Sequence, residues 1–174
     1  MLRLKLFEAS LVAAVVSFAA SYGYAAEFSA RLNGFNELGA LNAQTGAVLS
    51  DGTGTVSLYL NQKAGSIDYT LAYSNVGTTP PKTGTVSQAH IHFGKSRDCG
   101  VIVFFCTNMA NGPAGTPACP DHSGTVSGTW TAASVVGPAA QNIAAGNFDG
   151  LVDAIISNTA YANIHTTSKP AFPG

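Results

Sequence analysis

Charge is scarce in this chain of 174 residues: Asp, Glu, Lys and Arg make up 10% of it, against roughly 25% in an ordinary soluble domain. The formal net charge is −1. A nucleic-acid binder that works by bulk charge is excluded, because it needs a basic stripe to displace counterions. An acidic disordered tail and a charge-laced coiled coil are excluded on the same ground. Beyond the N-terminal segment there is no apolar run long enough to span a bilayer. The G-x-S-x-G elbow, the H-E-x-x-H helix, the phosphate-binding loop and the dinucleotide fingerprint are all missing, which removes the enzyme classes those motifs mark. What the chain does have is 46% hydrophobic residues, with 19 glycines and 8 prolines. The glycines follow no three-residue period, so collagen is excluded and a loop-rich β protein is indicated.

The first 25 residues read as a leader. Arg3 and Lys5 form a positive start, Leu11 to Ala20 an apolar core, and Gly23-Tyr24-Ala25 a small-x-small cleavage site. An uncleaved anchor fits less well: the uncharged stretch between Glu8 and Glu27 falls short of the ~20 residues needed and contains Ser10, Ser17, Ser21 and Gly23. The expectation is a signal peptide over 1–25, a single domain over 26–174, and a secreted, periplasmic or cell-surface location with no membrane span after cleavage.

Export exposes Cys99, Cys106 and Cys119 to an oxidising compartment. Cys99 and Cys106 lie seven apart on a strand-like run, facing opposite sides and too distant to bond. Cys106 and Cys119 bracket a Gly- and Pro-containing loop whose ends can meet, so the expected disulfide is Cys106–Cys119, worth about 3 kcal/mol in the chain-entropy model. A thiolate metal site lacks the C-x-x-C spacing.

Alternation then marks strands. Phe28, Ala30 and Leu32 alternate with polar residues, as do Val56, Leu58 and Leu60. A Lys63-Ala64-Gly65 turn follows, then Ile67, Tyr69, Leu71 and Tyr73, which makes the clearest hairpin. Further strands are expected over 84–93, 99–106, 124–131 and 159–166. Gly-Thr-Val-Ser recurs at 54–57, 84–87 and 124–127; the uneven spacing speaks against a solenoid, and each copy reads as a turn leading into a strand. Trp130, Tyr69 and Tyr73 read as core or interfacial aromatics. Phe148, Leu151, Val152, Ile155 and Ile156 share one helical face. Asn147 is a suitable cap, Asp149 and Asp153 complement the helix dipole, and Asn158 ends the segment. The fold class expected is all-β, an antiparallel sandwich or Greek-key-like barrel, with one short helix near 147–157.

The four histidines carry the possible chemistry. In Gln88-Ala89-His90-Ile91-His92-Phe93 a period of two groups Gln88, His90 and His92 on a polar face, opposite Ala89, Ile91 and Phe93 on the core face. Tyr161-Ala162-Asn163-Ile164-His165 likewise groups Tyr161, Asn163 and His165. If these strands are neighbours, three imidazoles converge, the ligand number of an open copper or zinc site. The simpler reading makes them polar-face residues bonded to nearby hydroxyls and carbonyls. His122, in a Pro-Asp-His-Ser loop, is a weaker fourth candidate ligand, and its adjacency to Asp121 is a poor acid–base pair because adjacent side chains point apart.

Ala89-His90-Ile91-His92-Phe93-Gly94, the strand ending at Cys106, and Asn111-Gly112-Pro113-Ala114-Gly115-Thr116-Pro117-Ala118-Cys119-Pro120 resemble the chordin-type (CHRD) domain of bacterial exported proteins. Ser123 to Thr129, Phe148 to Ile155 and Tyr161-Ala162-Asn163-Ile164-His165-Thr166 fit the same family in the same order. The resemblance implies a β-sandwich or barrel, an extracytoplasmic location, no established catalytic activity and no established cofactor. In chordin such domains sit in a secreted antagonist of growth factors, which implies a binding or scaffolding role toward a protein or surface ligand. Members usually continue past Phe-Pro-Gly with Gly-Glu-Ile-Arg-Gly and a last strand, whereas this sequence stops at Pro173-Gly174. Lack of that strand would expose a sheet edge and apolar surface, so homodimerisation through an open edge is expected.

Overall fold

The computed structural model describes residues 24–36, 48–80, 82–94 and 99–168. The leader expected over 1–25 lies, up to residue 23, outside the described residues. Period-two alternation produces seven strands: β1 (Ala25–Asn33), β2 (Thr53–Asn61), β3 (Ser66–Ser74), β4 (Val86–Phe93), β5 (Gly100–Thr107), β6 (Gly124–Trp130) and β7 (Ala160–Thr166). A four-stranded sheet has the order β1-β2-β3-β6, and a three-stranded sheet the order β5-β4-β7. All pairs are antiparallel. The two sheets remain separate, which decides for the sandwich and against the closed barrel. Each Gly-Thr-Val-Ser copy lies at or just before a strand start, in β2, before β4 and in β6.

The core fills the space between the sheets. Val56, Leu58 and Leu60 of β2 and Ile67, Tyr69, Leu71 and Tyr73 of β3 are all buried, as their alternation requires. Tyr69 stacks on Trp130 with ring centroids 4.5 Å apart and meets Phe105 of the other sheet edge-on at 5.4 Å. Both polar tips are satisfied: the Tyr69 hydroxyl donates to the Phe105 carbonyl and the Trp130 indole N–H to that of Phe104. Tyr69 crosses its β6 partner Gly128, where a Cβ would stand 2.6 Å from the phenol oxygen. Glycine is required there so that the ring can lie flat against the neighbouring backbone. Cys106 and Cys119, both buried in this core, are bonded, with Cα atoms 5.0 Å apart, and Cys99 takes no part in the bond. The intervening loop is pinned by Asn108, whose side chain donates to the Val86 and Cys119 carbonyls and accepts from the Cys119 N–H.

The helix α1 spans Phe148–Ile156, and among the described residues it is the one α-helix. Asn147 Oδ1 accepts from the Gly150 N–H at 2.9 Å, an N-cap bond. Asn158 sits in the left-handed region that stops further winding. Leu151 and Val152 are buried as expected, but Ile156 is 48% exposed. The helix ends there, while Ala154 and Ile155 of its last turn still pack into or against the core. Ala30 of β1 is also exposed, against the expectation of a core-facing row. The sheets are joined tightly along β5 and β6 but diverge along β1 and β7, leaving a groove of about 850 Å³ lined by Phe28, Leu32, Leu58, Ile91 and Ile164 among others.

Candidate metal centre

The centre of the three-stranded sheet is β4, and the register of its neighbours decides what its side chains meet. β7 pairs antiparallel with it, placing His165 opposite Gln88, Asn163 opposite His90 and Tyr161 opposite His92. Side chains directly opposite share a face, so all three imidazoles lie on one side. Toward β5 the register shifts twice, between Ala89 and His90 and again between Ile91 and His92. Such bulges twist a strand and re-aim its side chains. His90 thereby comes opposite Phe104, whose ring meets it edge-on at 5.5 Å.

This is the polar face read from the alternation, and part of it is deeply covered. His90 is only 1% exposed, and Asn163 is buried beside it. The His90 ring packs against His92 at 4.4 Å and His165 at 4.8 Å, while Tyr161 stacks on His92 at 4.8 Å. One potential ligand atom from each of His90, His92 and His165 lies within 4.8 Å of the others. His122 stands apart from this group. Its Nδ1 is engaged by the Val76 carbonyl at 2.9 Å in the loop after β3, so the fourth candidate is a turn-forming residue.

Proton positions follow from the hydrogen bonds. The Cys99 carbonyl, 2.9 Å from His92 Nδ1, can only accept, so that nitrogen carries the proton and His92 Nε2 presents a lone pair. His90 Nε2, 2.8 Å from His92 Nε2, must then be the donor between them. That leaves His90 Nδ1 as a bare lone pair, buried and without a hydrogen-bond partner, and His165 Nε2 is buried and unpartnered as well. An unsatisfied buried polar atom costs about 1–3 kcal/mol. Two of them belong to one three-imidazole cluster.

The electrostatics agree. Burial, reinforced by the neighbouring imidazoles of His92 and His165, pushes His90 down to about 3. Burial also lowers His92, against the opposing pull of its backbone hydrogen bonds, and lowers His165 with a further contribution from His92. All three are therefore neutral at pH 7, the form that ligates a metal. Nitrogens sharing one ion at ~2.0–2.1 Å stand about 2.9 Å apart as square-planar neighbours and about 4.1 Å apart across it. One ring nitrogen from each histidine lies within 4.8 Å of the others, slightly wider than that range. The residues present fit copper or zinc: three imidazoles, with the Cys99 carbonyl orienting His92 from behind. Gln141 braces the same end, accepting from the Gly100 N–H at 2.7 Å and donating to the Phe93 carbonyl at 2.8 Å. Neither the Cys99 carbonyl nor Gln141 was legible in the sequence, since backbone acceptors and residues far along the chain leave no local pattern. Tyr161 was legible, because it shares the alternate face of β7 with His165.

Among the described residues no helix is long and apolar enough to cross a membrane. The fold and cluster define an antiparallel β-sandwich with a triad of imidazoles on one face of its smaller sheet, His90 buried and His92 and His165 half-buried. The model of the CHRD domain matches residues 28–172, nearly the whole chain, and the chain belongs to that family. No curated protein and no solved structure matches it.

Proposed function

We propose that this CHRD domain is an exported binding module that holds one transition-metal ion, copper(II) or zinc, among His90, His92 and His165. The observation that carries the reading is the pair of orphaned, buried ring nitrogens inside one three-imidazole cluster. Copper(II) leads zinc in the general affinity order for nitrogen ligands. The neutral imidazoles need lose no proton to bind at pH 7. The hydrogen bond to the Cys99 carbonyl holds His92 with its Nε2 lone pair presented, and Phe104 and Tyr161 shield two rings from water. When bound, such an ion supplies Lewis acidity and, for copper, a redox couple. Export is supported by the leader-like N-terminus and by the Cys106–Cys119 bond, which suits an oxidising compartment.

The test is metal analysis of protein purified without an affinity tag, followed by titration of chelated protein with copper(II) and with zinc. One ion per chain is expected, lost in a His90→Ala/His92→Ala variant and in His165→Ala, and retained in His122→Ala. Absence of stoichiometric binding by folded protein, or equal binding by the triad variants, would refute the reading. The groove between β1 and β7 supports a second function, recognition of a protein partner, independent of the ion.

A further inference from the structure

A sheet edge carries a row of open N–H and C=O groups that can template another strand, so edges are normally paired, covered or blocked by charge. Among the described residues β1 pairs on one side only, with β2. Its inward row, Ala26, Phe28, Ala30 and Leu32, is apolar, and none of the four is buried. Its outward row, Glu27, Ser29 and Arg31, is exposed. Large exposed apolar side chains gather around the same strand. Phe35 follows it at 64% exposure, and Tyr59, opposite Glu27 on β2, is 43% exposed.

We propose that β1 is a homodimer interface, with the β1 of a second copy of this chain added antiparallel about a two-fold axis at Ser29. In that register Glu27 of each copy lies opposite Arg31 of the other on the outward face. Phe28 lies opposite Ala30 on the inward face. The two four-stranded sheets become one continuous sheet. Because the axis of an antiparallel pair is perpendicular to the sheet, both three-stranded sheets stand on the same side, and the two grooves open toward each other across the joined strands.

The charges argue for a second copy rather than an unrelated strand. Charges of one sign along an edge repel a copy of that edge. Here opposite signs stand two residues either side of a central serine, which makes the strand complementary to itself, and like charges directly opposite would be destabilising. An unrelated partner requires no such symmetry.

Sedimentation equilibrium of the purified protein over a wide concentration range should give twice the chain mass. Arg31→Glu places Glu opposite Glu at two positions and should raise the dissociation constant about tenfold or more; Glu27→Arg should do the same. The combined Glu27→Arg/Arg31→Glu variant restores both pairs in reversed order and should return to the dimer. Both side chains are exposed, so the fold is expected to survive, as circular dichroism will report. Should a reversal fail to fold, Ser29→Arg, which sets Arg against Arg at the axis, gives the same expected loss. A monomeric wild type, a dimer indifferent to the reversals, or a double variant that stays monomeric overturns the proposal.

Discussion

On one face of β4, Ala89 and Ile91 sink into the space between the sheets, in a core shared with Leu71, Phe105 and Trp130. On the other face His90 is just as deeply buried, at 1% exposure against 0% and 3%, but its neighbours are His92, Phe104 and His165. Equal burial has opposite energetic meaning on the two faces. Removing aliphatic and aromatic surface from water stabilises by about 25 cal/mol per Å². Burying an imidazole with an unsatisfied nitrogen costs about 1–3 kcal/mol. A sheet selected for stability alone would carry an aliphatic side chain at position 90. The inner face therefore holds the sandwich together, and the imidazole face adds little to that stability.

The strongest challenge to this contrast is truncation of the inner face. Phe105→Ala removes a fully buried ring that touches Tyr69 and Trp130. It should lower unfolding free energy by about 3–5 kcal/mol in chemical denaturation. A loss under about 1 kcal/mol would mean that the seam is not where stability resides.

A smaller effect should come from acid, and it belongs to the imidazole face. His90 is held at about 3 in the folded chain against 6.5 unfolded. The folded state therefore binds fewer protons, and its advantage is complete above pH 6.5 and is lost as pH falls from there toward 3. At pH 5 His90 alone should account for a loss of about 2 kcal/mol, with His92 and His165 shifted in the same direction. Thermal unfolding of chelated protein at pH 8 and pH 5 measures this. No change between the two would show that the imidazoles are protonated freely in the fold.

The smallest expected effect sharpens the comparison most. His90→Leu replaces an orphaned imidazole by an apolar side chain of similar size, which is often neutral or stabilising at a buried polar site. Chelated protein at pH 7 should stay within about 1 kcal/mol of wild type, with a flatter acid response and no stoichiometric metal binding. A loss as large as that of Phe105→Ala would make His90 an ordinary core residue and erase the difference between the faces.

Much of this architecture was readable from local pattern. Val56 to Leu60 and Ile67 to Tyr73 alternate so regularly that their buried faces follow from period two, and they pair as the expected hairpin. Asn147 and the apolar spacing after it located α1 to within a residue or so at each end. The loop between Cys106 and Cys119 announced their bond. The grouping of His90 with His92, and of Tyr161 with His165, also follows from alternation. Not legible was the depth of that group: Gln88, His90 and His92 share a polar face, yet His90 is 1% exposed. A signal was present in β5, where Ile102 to Cys106 run apolar without a break and every one is buried, the mark of a strand covered on both sides.

By itself, the sequence determined the direction of each side chain from its strand or helix, because backbone geometry repeats every two or 3.6 residues and needs no distant partner. It determined likewise the helix cap and the closure of the disulfide loop, both short-range matters. Tertiary structure alone decided that β7, more than sixty residues after β4, lies beside it, that two bulges turn His90 under Phe104, that the Cys99 carbonyl sets the proton on His92, and that the sheets part along β1 and β7. Burial and register depend on which remote segment packs against a face, and no local period encodes that choice.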